Sequence, residues 1–286
     1  MFDVTPLLFL QGLRNPFWNS FFRGVSVVGS DLFYLVVLVI WYLAFSKREG
    51  IYLSLVLFAS LFLNFAVKSL VAVPRPYLHP MLQAISEAEG FSFPSGHAQS
   101  TATFFFSLAL LYKKRPVWVL AFLMVGLVSF SRLYLGVHYV EDVLAGALLG
   151  AGFAFAAFYL KGKLEGNEVN IVFWWKVAVA AGVALSLFWF CWDDLSARVG
   201  GAISGALLGW FLEGNAENLA WKSLFDRIVF LGLALLSVLA CFLVLRGVFP
   251  EGREFLFLRY AIVVFWVVFG IPVLTRHLRR KLAGGS

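Results

Sequence analysis

Apolar residues in this chain neither alternate with polar ones at the period of a strand nor keep to one helical face; they run together. Near-continuous apolar stretches occupy about residues 31–46, 50–73, 97–112, 116–135, 139–160, 171–191, 198–212, 227–246 and 254–275. A bilayer crossing takes roughly 20 apolar residues in helical form. The pattern therefore predicts nine membrane-spanning helices, or eight if one of the two short runs, 97–112 and 198–212, does not cross. Residues 1–30 read differently, because Leu, Phe and Trp are mixed there with Asp3, Arg14, Asn15, Asn19 and Arg23. That mixture suits an amphipathic helix lying in the membrane interface. The segment has no positively charged start and no compact apolar run ending at a small-residue cleavage site, so it is not expected to be a removable signal peptide. The predicted fold is all-α, a polytopic transmembrane helical bundle of about nine spans with an N-terminal interfacial helix.

Composition agrees and excludes a soluble protein: 61% of the 286 residues are hydrophobic, 18% aromatic and only 14% charged, against about a quarter charged in soluble domains. Cys191 and Cys241 both lie in apolar runs, which points to small core residues rather than a disulfide or a cysteine metal site. The net charge of +7 does not imply nucleic acid. Basic residues instead cluster in alternate connections: Lys47 and Arg48; Lys113, Lys114 and Arg115; Lys161 and Lys163; Lys222 and Arg227; Arg276, Arg279, Arg280 and Lys281. The positive-inside rule places these connections and the C-terminus in the cytoplasm. The connections at 74–96, 134–140, 192–198 and 247–253 then face the periplasm, cell exterior or an organelle lumen. Lys68, Arg75 and Arg132 break this bias at the outward ends of spans, where a charge is costly and marks function by default. The string GALLG occurs at Gly146–Gly150 and again at Gly205–Gly209, with Gly201 one step earlier. Small residues at four-residue spacing let helix backbones approach closely, so these positions are expected to be packing seams.

Three clusters on the outward side carry chemistry: Lys68 with Arg75-Pro76, Pro94-Ser95-Gly96-His97, and Ser131-Arg132 with His138 and Asp142. Three fixed cations suit a phosphate dianion and the charge on the equatorial oxygens of a phosphoryl group in transfer. Ser95, Gly96 and the backbone N–H groups of the helix opening after Pro94 suit an anion cradle. His138 and Asp142, four residues apart, share one face of a helix that begins near Val137. The carboxylate can hold one ring nitrogen and leave the other as a nucleophile, and His97 on another helix is left to protonate the leaving oxygen. No metal or other cofactor is expected, since neither carboxylates nor cysteines gather in these motifs.

Lys-x6-Arg-Pro, Pro-Ser-Gly-His and Ser-Arg-x5-His-x3-Asp resemble, without a gap, the three signature motifs of the type 2 phosphatidic acid phosphatase superfamily. That superfamily includes lipid phosphate phosphatases, undecaprenyl pyrophosphate phosphatases, glucose-6-phosphatase and the vanadium haloperoxidases. The resemblance covers about residues 20–160. It implies a metal-independent phosphatase with a phosphohistidine intermediate, in which Lys68, Arg75, Ser95, Gly96 and Arg132 bind phosphate and His138 is the nucleophile oriented by Asp142. His97 would be the general acid that later activates water. The chain itself is predicted to be organised as an interfacial segment at 1–30, a catalytic core of about five helices at 31–164, and a bundle of about four helices at 165–286 that lies beyond the usual family core.

The expected substrate is a phosphate monoester or diphosphate, more readily lipid-linked, met among membrane lipids at the outward face. Nine spans, Asp31 early in the first span and Leu63-Asn64 before Lys68 are also similar to the glucose-6-phosphatase branch, which makes a sugar phosphate the alternative. A phosphotransferase passing the same phosphoryl group to an alcohol, and a transporter with a phosphate-binding vestibule, are the readings of other classes. Asp31 either contacts substrate or caps the first span with Ser30, and His79 is either a loop residue or a headgroup contact. His277 reads as part of the basic end, and Lys176 as an interfacial anchor.

Overall fold

The structure, a computed structural model, describes residues 3–86, 88, 90–166, 194–213 and 223–283. The expected span at 171–191, with Lys176 and Cys191, and the basic residue Lys222 lie outside the described residues. Eleven α-helices make up nearly all of the rest: α1 Thr5–Gly12, α2 Pro16–Val27, α3 Asp31–Ile40, α4 Lys47–Val71, α5 Gly96–Tyr112, α6 Arg115–Tyr134, α7 Val140–Gly166, α8 Asp194–Glu213, α9 Leu224–Val248, α10 Arg253–Phe265 and α11 Ile271–Ala283. Single π-helical turns, Trp41–Phe45 and Trp266–Gly270, follow α3 and α10, and a short 3-10 turn, Pro76–Leu78, lies in the loop after α4. Among the described residues there is no strand.

Local chemistry sets the helix boundaries. Asn15 Oδ1 accepts the Trp18 N–H at 3.1 Å, and Pro16 occupies the first turn of α2, where its missing N–H leaves no bond unmade. This pair divides the predicted interfacial segment into two helices, α1 and α2, rather than one. Ser30 starts α3 in the same way, its hydroxyl accepting the Phe33 N–H at 3.3 Å. Lys113, in the left-handed region at φ 53°, ends α5, and Pro116 in the first turn of α6 reopens the chain.

Five helical segments are long and apolar enough to cross a membrane, Lys47–Leu78, Arg115–Tyr134, Val140–Lys163, Leu224–Val248 and Arg253–Leu278; α2 with the helix through Phe45, bent by 51°, would make a sixth. The protein is an integral membrane protein. The predicted count of nine is not reached among the described residues. The run at 97–112 forms α5, a helix of 17 residues whose positions 98–110 are all buried. The run at 198–212 lies in the 20-residue α8, and the run at 31–46 joins α2 across the bend. Hydropathy alone does not distinguish a helix buried in protein from one facing lipid.

Contacts divide the chain into two compact units, residues 1–38 with 51–167, and residues 39–50 with 168–286. In the first, α5 is the central helix and packs on α7 and α6. Its contact with α7 is a glycine seam. A Cβ at Gly146 would strike the Ser95 carbonyl, and one at Gly150 would strike the Gln99 carbonyl. Gln99, Thr101 and Thr103 of α5 find polar partners within the unit. Gln99 donates to the Ser60 carbonyl at 2.7 Å and accepts from Asn64 Nδ2 at 2.8 Å, and Ser60 and Thr103 share a hydroxyl bond of 2.8 Å. The Tyr34 hydroxyl donates to Thr101 at 3.0 Å, and Thr101 to the His97 carbonyl at 2.7 Å. Buried polar groups paired in this way fix one helix register where an all-apolar helix could slide.

In the second unit α8 packs on α10 through the other predicted seam, with Gly201 and Gly205 against the Phe257 and Ala261 carbonyls. The Glu213 carboxylate, with a side chain only 2% exposed, is held by Lys47 Nζ at 2.6 Å and Arg276 Nη1 at 2.9 Å. It also accepts from the Tyr42 hydroxyl. A buried carboxylate needs this surplus of donors to offset its desolvation.

Candidate active site

The site is assembled in the first unit from the ends of α4, α5 and α6, the start of α7, and the loops between them. His138 sits in the turn after α6 and Asp142 in the first turn of α7. The four-residue spacing does what it predicts: His138 Nδ1 and Asp142 Oδ2 lie 3.2 Å apart, the two side chains being 2% and 0% exposed. Asp142 Oδ2 also accepts the Tyr139 N–H at 2.8 Å and the Ser92 hydroxyl. Because Asp142 takes the Nδ1 side, Nε2 is the acceptor nitrogen, and Arg75 Nη1 donates toward it at 3.2 Å. This network assigns the neutral tautomer with the proton on Nδ1. Burial, and then the nearby Arg132, Arg75 and Lys68 charges, push the His138 imidazole well below its ordinary pKa. Its Nε2 lone pair is therefore available at neutral pH.

The cations are fixed by backbone carbonyls and one hydroxyl. Arg75 donates from Nη1 to the Val137 carbonyl and from Nε to the Gly90 carbonyl, both at 3.0 Å. Lys68 Nζ, on the last turn of α4, donates to the carbonyls of Phe91 at 2.7 Å and Ser92 at 3.4 Å. Arg132, at the end of α6, donates from Nη1 to the Ser26 hydroxyl at 2.5 Å. His97 is within electrostatic range of Arg132, His138, Arg75 and Lys68. Residues spread over more than 70 positions of sequence thus meet around one imidazole.

Ser95 caps α5, its hydroxyl facing the Ala98 N–H at 3.5 Å, and its own N–H donates to the Asp142 carbonyl at 2.9 Å. This refines the predicted cradle. The Ser95 N–H ties the two motifs together, and the first-turn N–H groups of Gly96 and His97 are those that a helix start leaves without an intrahelical acceptor. A side chain at Gly96 would press on Asn64 Oδ1, 3.3 Å from an ideal Cβ. Asn64 Nδ2 in turn donates to the Pro94 carbonyl at 3.3 Å.

The two ambiguous residues are not hydrogen-bonded into this cluster among the described residues. Asp31 is exposed in the first turn of α3, where Ser30 and not Asp31 supplies the cap. His79, half-buried, accepts the Met81 N–H on Nδ1 at 3.3 Å. Among the described residues no hydrogen bond joins either to the cations or to the two histidines. The sequence reading also missed two residues. Ser92 lies against both Asp142 and His138, and a polar residue between Phe91 and Phe93 was the available signal. Ser26, the Arg132 partner, had none, because a serine on an amphipathic helix is ordinary. Among the described residues no three His, Cys, Asp or Glu side chains gather as a metal-binding set.

Comparison with known proteins identifies the family. A model of the PAP2 superfamily matches residues 49–166, and one of the transmembrane extension of PAP2 superfamily phosphatases matches residues 197–284. The lipid A 4'-phosphatase of Bacteroides thetaiotaomicron is 33% identical over 171 residues, covering 55% of this chain and 75% of that protein. Phosphatidylglycerophosphatase B of Bacillus subtilis is 32% identical over 151 residues, covering 48% of this chain and 72% of that protein. The undecaprenyl-diphosphatase BcrC of the same organism is 31% identical over 152 residues, covering 51% of this chain and 77% of that protein. The chain belongs to the PAP2 superfamily and is an integral membrane phosphatase of that family.

Proposed function

We propose that this phosphatase hydrolyses a lipid-linked phosphate monoester or diphosphate, without metal, through a phosphohistidine on His138. The observation that carries the reading is the His138 imidazole itself. One nitrogen is held by Asp142 at 3.2 Å, and the other is turned to Arg75 with Lys68, Arg132 and His97 in electrostatic range. In this reading Lys68, Arg75 and Arg132, with Ser95, Gly96 and the start of α5, neutralise the phosphate and the charge that spreads over its equatorial oxygens. His138 Nε2 attacks phosphorus, the P–O bond to the leaving group breaks, and His97 gives its proton to the departing oxygen. His97 then takes a proton from water as the water oxygen attacks the phosphohistidine, releasing phosphate and restoring both imidazoles.

A lipid substrate is supported by the relatives named lipid A 4'-phosphatase, phosphatidylglycerophosphatase and undecaprenyl-diphosphatase. It is also supported by exposed apolar side chains on the Lys68 and Arg75 segments, Leu70, Val71 and Leu78 among them. The alternating basic connections support a site facing the periplasm, exterior or lumen and a cytoplasmic C-terminus. The division into a 31–164 core and a 165–286 bundle of further spans is in keeping with the two family matches.

The test is phosphate release from undecaprenyl pyrophosphate, phosphatidic acid, phosphatidylglycerophosphate, sphingosine phosphate and glucose 6-phosphate, all in excess chelator with and without an alcohol acceptor. Turnover of one or more lipids with glucose 6-phosphate inert is the expected result. Preference for glucose 6-phosphate would overturn the substrate class, phosphate transfer in place of release would make the protein a transferase, and loss of activity in chelator restored by magnesium would overturn the mechanism.

A further inference from the structure

The amino-terminal helices, which the sequence presents as a membrane-interface anchor, reach the catalytic cluster at two points. Both points lie outside residues 49–166, the stretch that the PAP2 model matches. At the first, the Ser26 hydroxyl in the last turn of α2 accepts from Arg132 Nη1 at 2.5 Å. Ser26 is 7% exposed and Arg132 4%. Arg132 Nε is buried without a hydrogen-bond partner among the described residues, so the guanidinium is tethered by one donor and keeps another for an anion. At the second, Gly29 abuts His97: an ideal Cβ there would lie 2.9 Å from both Cβ and Cδ2 of His97 and 2.8 Å from Val128 Cγ1.

The Ser26 hydroxyl is not what seats α2. Phe22 packs against Tyr134, Leu135 and Val137. Asn19 Oδ1 accepts the Tyr134 hydroxyl at 3.0 Å, and Arg23 donates to the Ile85 carbonyl from Nε at 3.0 Å and Nη2 at 2.7 Å. Those ties hold the helix without any contact to Arg132. An arginine at the end of a helix has four rotatable side-chain bonds, and each must be fixed if the charge is to sit where phosphoryl oxygens arrive. The α2 C-terminus, with its partial negative charge, is a favourable end to offer a cation. We infer that Ser26 is a positioning residue for Arg132, which makes the amino-terminal segment part of the anion-binding wall of the active site. This rests on the reading of Arg132 as a phosphate ligand.

The full-length protein in detergent is assayed with p-nitrophenyl phosphate for KM and kcat and with orthovanadate for Ki, in wild type, Ser26→Ala, Ser26→Thr, Asn19→Ala and Arg132→Gln. Ser26→Ala replaces serine by a better helix former, so folding is not at risk. A hydrogen bond to a charged group is worth enough that its loss raises KM and the vanadate Ki together by about tenfold, with kcat changed less than threefold. Ser26→Thr keeps the hydroxyl and returns both constants toward wild type. Asn19→Ala loosens α2 at a different tie and leaves KM and Ki unchanged, so it separates positioning of Arg132 from seating of the helix. Unchanged KM and Ki in Ser26→Ala, beside raised values in Arg132→Gln, would overturn the inference. An equal rise in Asn19→Ala and Ser26→Ala would also overturn it, because the hydroxyl would then only seat the helix. Unchanged constants in Arg132→Gln would instead refute the phosphate-site reading on which the inference stands.

Discussion

A methyl group added at Gly146 is expected to disable the enzyme from a position that touches no substrate. Gly146 lies one turn after Asp142 on α7, against the first turn of α5 that carries Ser95, Gly96 and His97. A Cβ there meets the Ser95 carbonyl oxygen far inside contact distance, its carbon at 3.3 Å and Ala98 Cβ at 3.4 Å, whereas ordinary contacts begin at 3.4 Å. Both obstructing carbonyl atoms are backbone and cannot swing aside, so α7 must retreat from α5 by about 1 Å. That retreat stretches the 2.9 Å bond from the Ser95 N–H to the Asp142 carbonyl and parts the His138–Asp142 pair from His97. Overpacking of this kind costs about 1–3 kcal/mol of stability. A misplacement of about 1 Å between reacting groups lowers kcat/KM roughly 10²-fold. Gly152→Ala is the internal control, on the same helix but with nothing within 4 Å of its Cβ, and should gain up to about 1 kcal/mol from helix propensity with activity intact. The assay is kcat/KM for phosphate release alongside retained activity after graded heating in detergent. Wild-type activity in Gly146→Ala, or equal losses in the two variants, would refute the claim that backbone contact between α5 and α7 sets the site.

Three other outcomes are expected. His138→Ala should lose turnover of alkyl phosphate and p-nitrophenyl phosphate alike, while His97→Ala should lose about 10²- to 10⁴-fold on the alkyl ester and far less on p-nitrophenolate, which departs without a proton; the burst phase is the readout, and equal losses in it would remove His97 from leaving-group departure. Because His138 acts as the free base and burial with three cations holds its pKa below the ordinary range, its requirement is met above that lowered pKa and activity is lost as pH falls through it. The acid limb of kcat/KM should thus lie below about pH 6.5, and a limb at or above that value would contradict the assignment. Cysteines at Met81, 62% exposed in the loop after α4, and at Lys114, exposed between α5 and α6, should be labelled from opposite sides of the membrane; labelling of both from one side would reverse or abolish the proposed orientation.

How far the sequence reaches is set by the range of the forces involved. The i,i+4 pair His138–Asp142, the cap at Ser30, and the glycine seams at Gly146–Gly150 and Gly201–Gly205 all follow from geometry within a turn or two, and each is found in the structure. Membrane insertion was equally legible, since transfer of apolar side chains out of water depends on composition along a segment and not on its partners. The fate of each apolar run was not. α5 carries as much apolar residue as its neighbours yet is buried in protein, because Gln99, Thr101 and Thr103 find partners on Asn64, Ser60 and Tyr34 that only packing supplies. Nor could spacing reveal which cation meets Nε2 of His138, or which hydroxyls bond to the carboxylate and to Arg132. Arg75 and His138 are 63 residues apart, Ser92 and Asp142 50, and Ser26 and Arg132 106. Contacts of that separation carry no periodic trace in the chain; they exist because tertiary packing, including the glycine seam and the buried polar contacts of α5, brings the elements that bear them together.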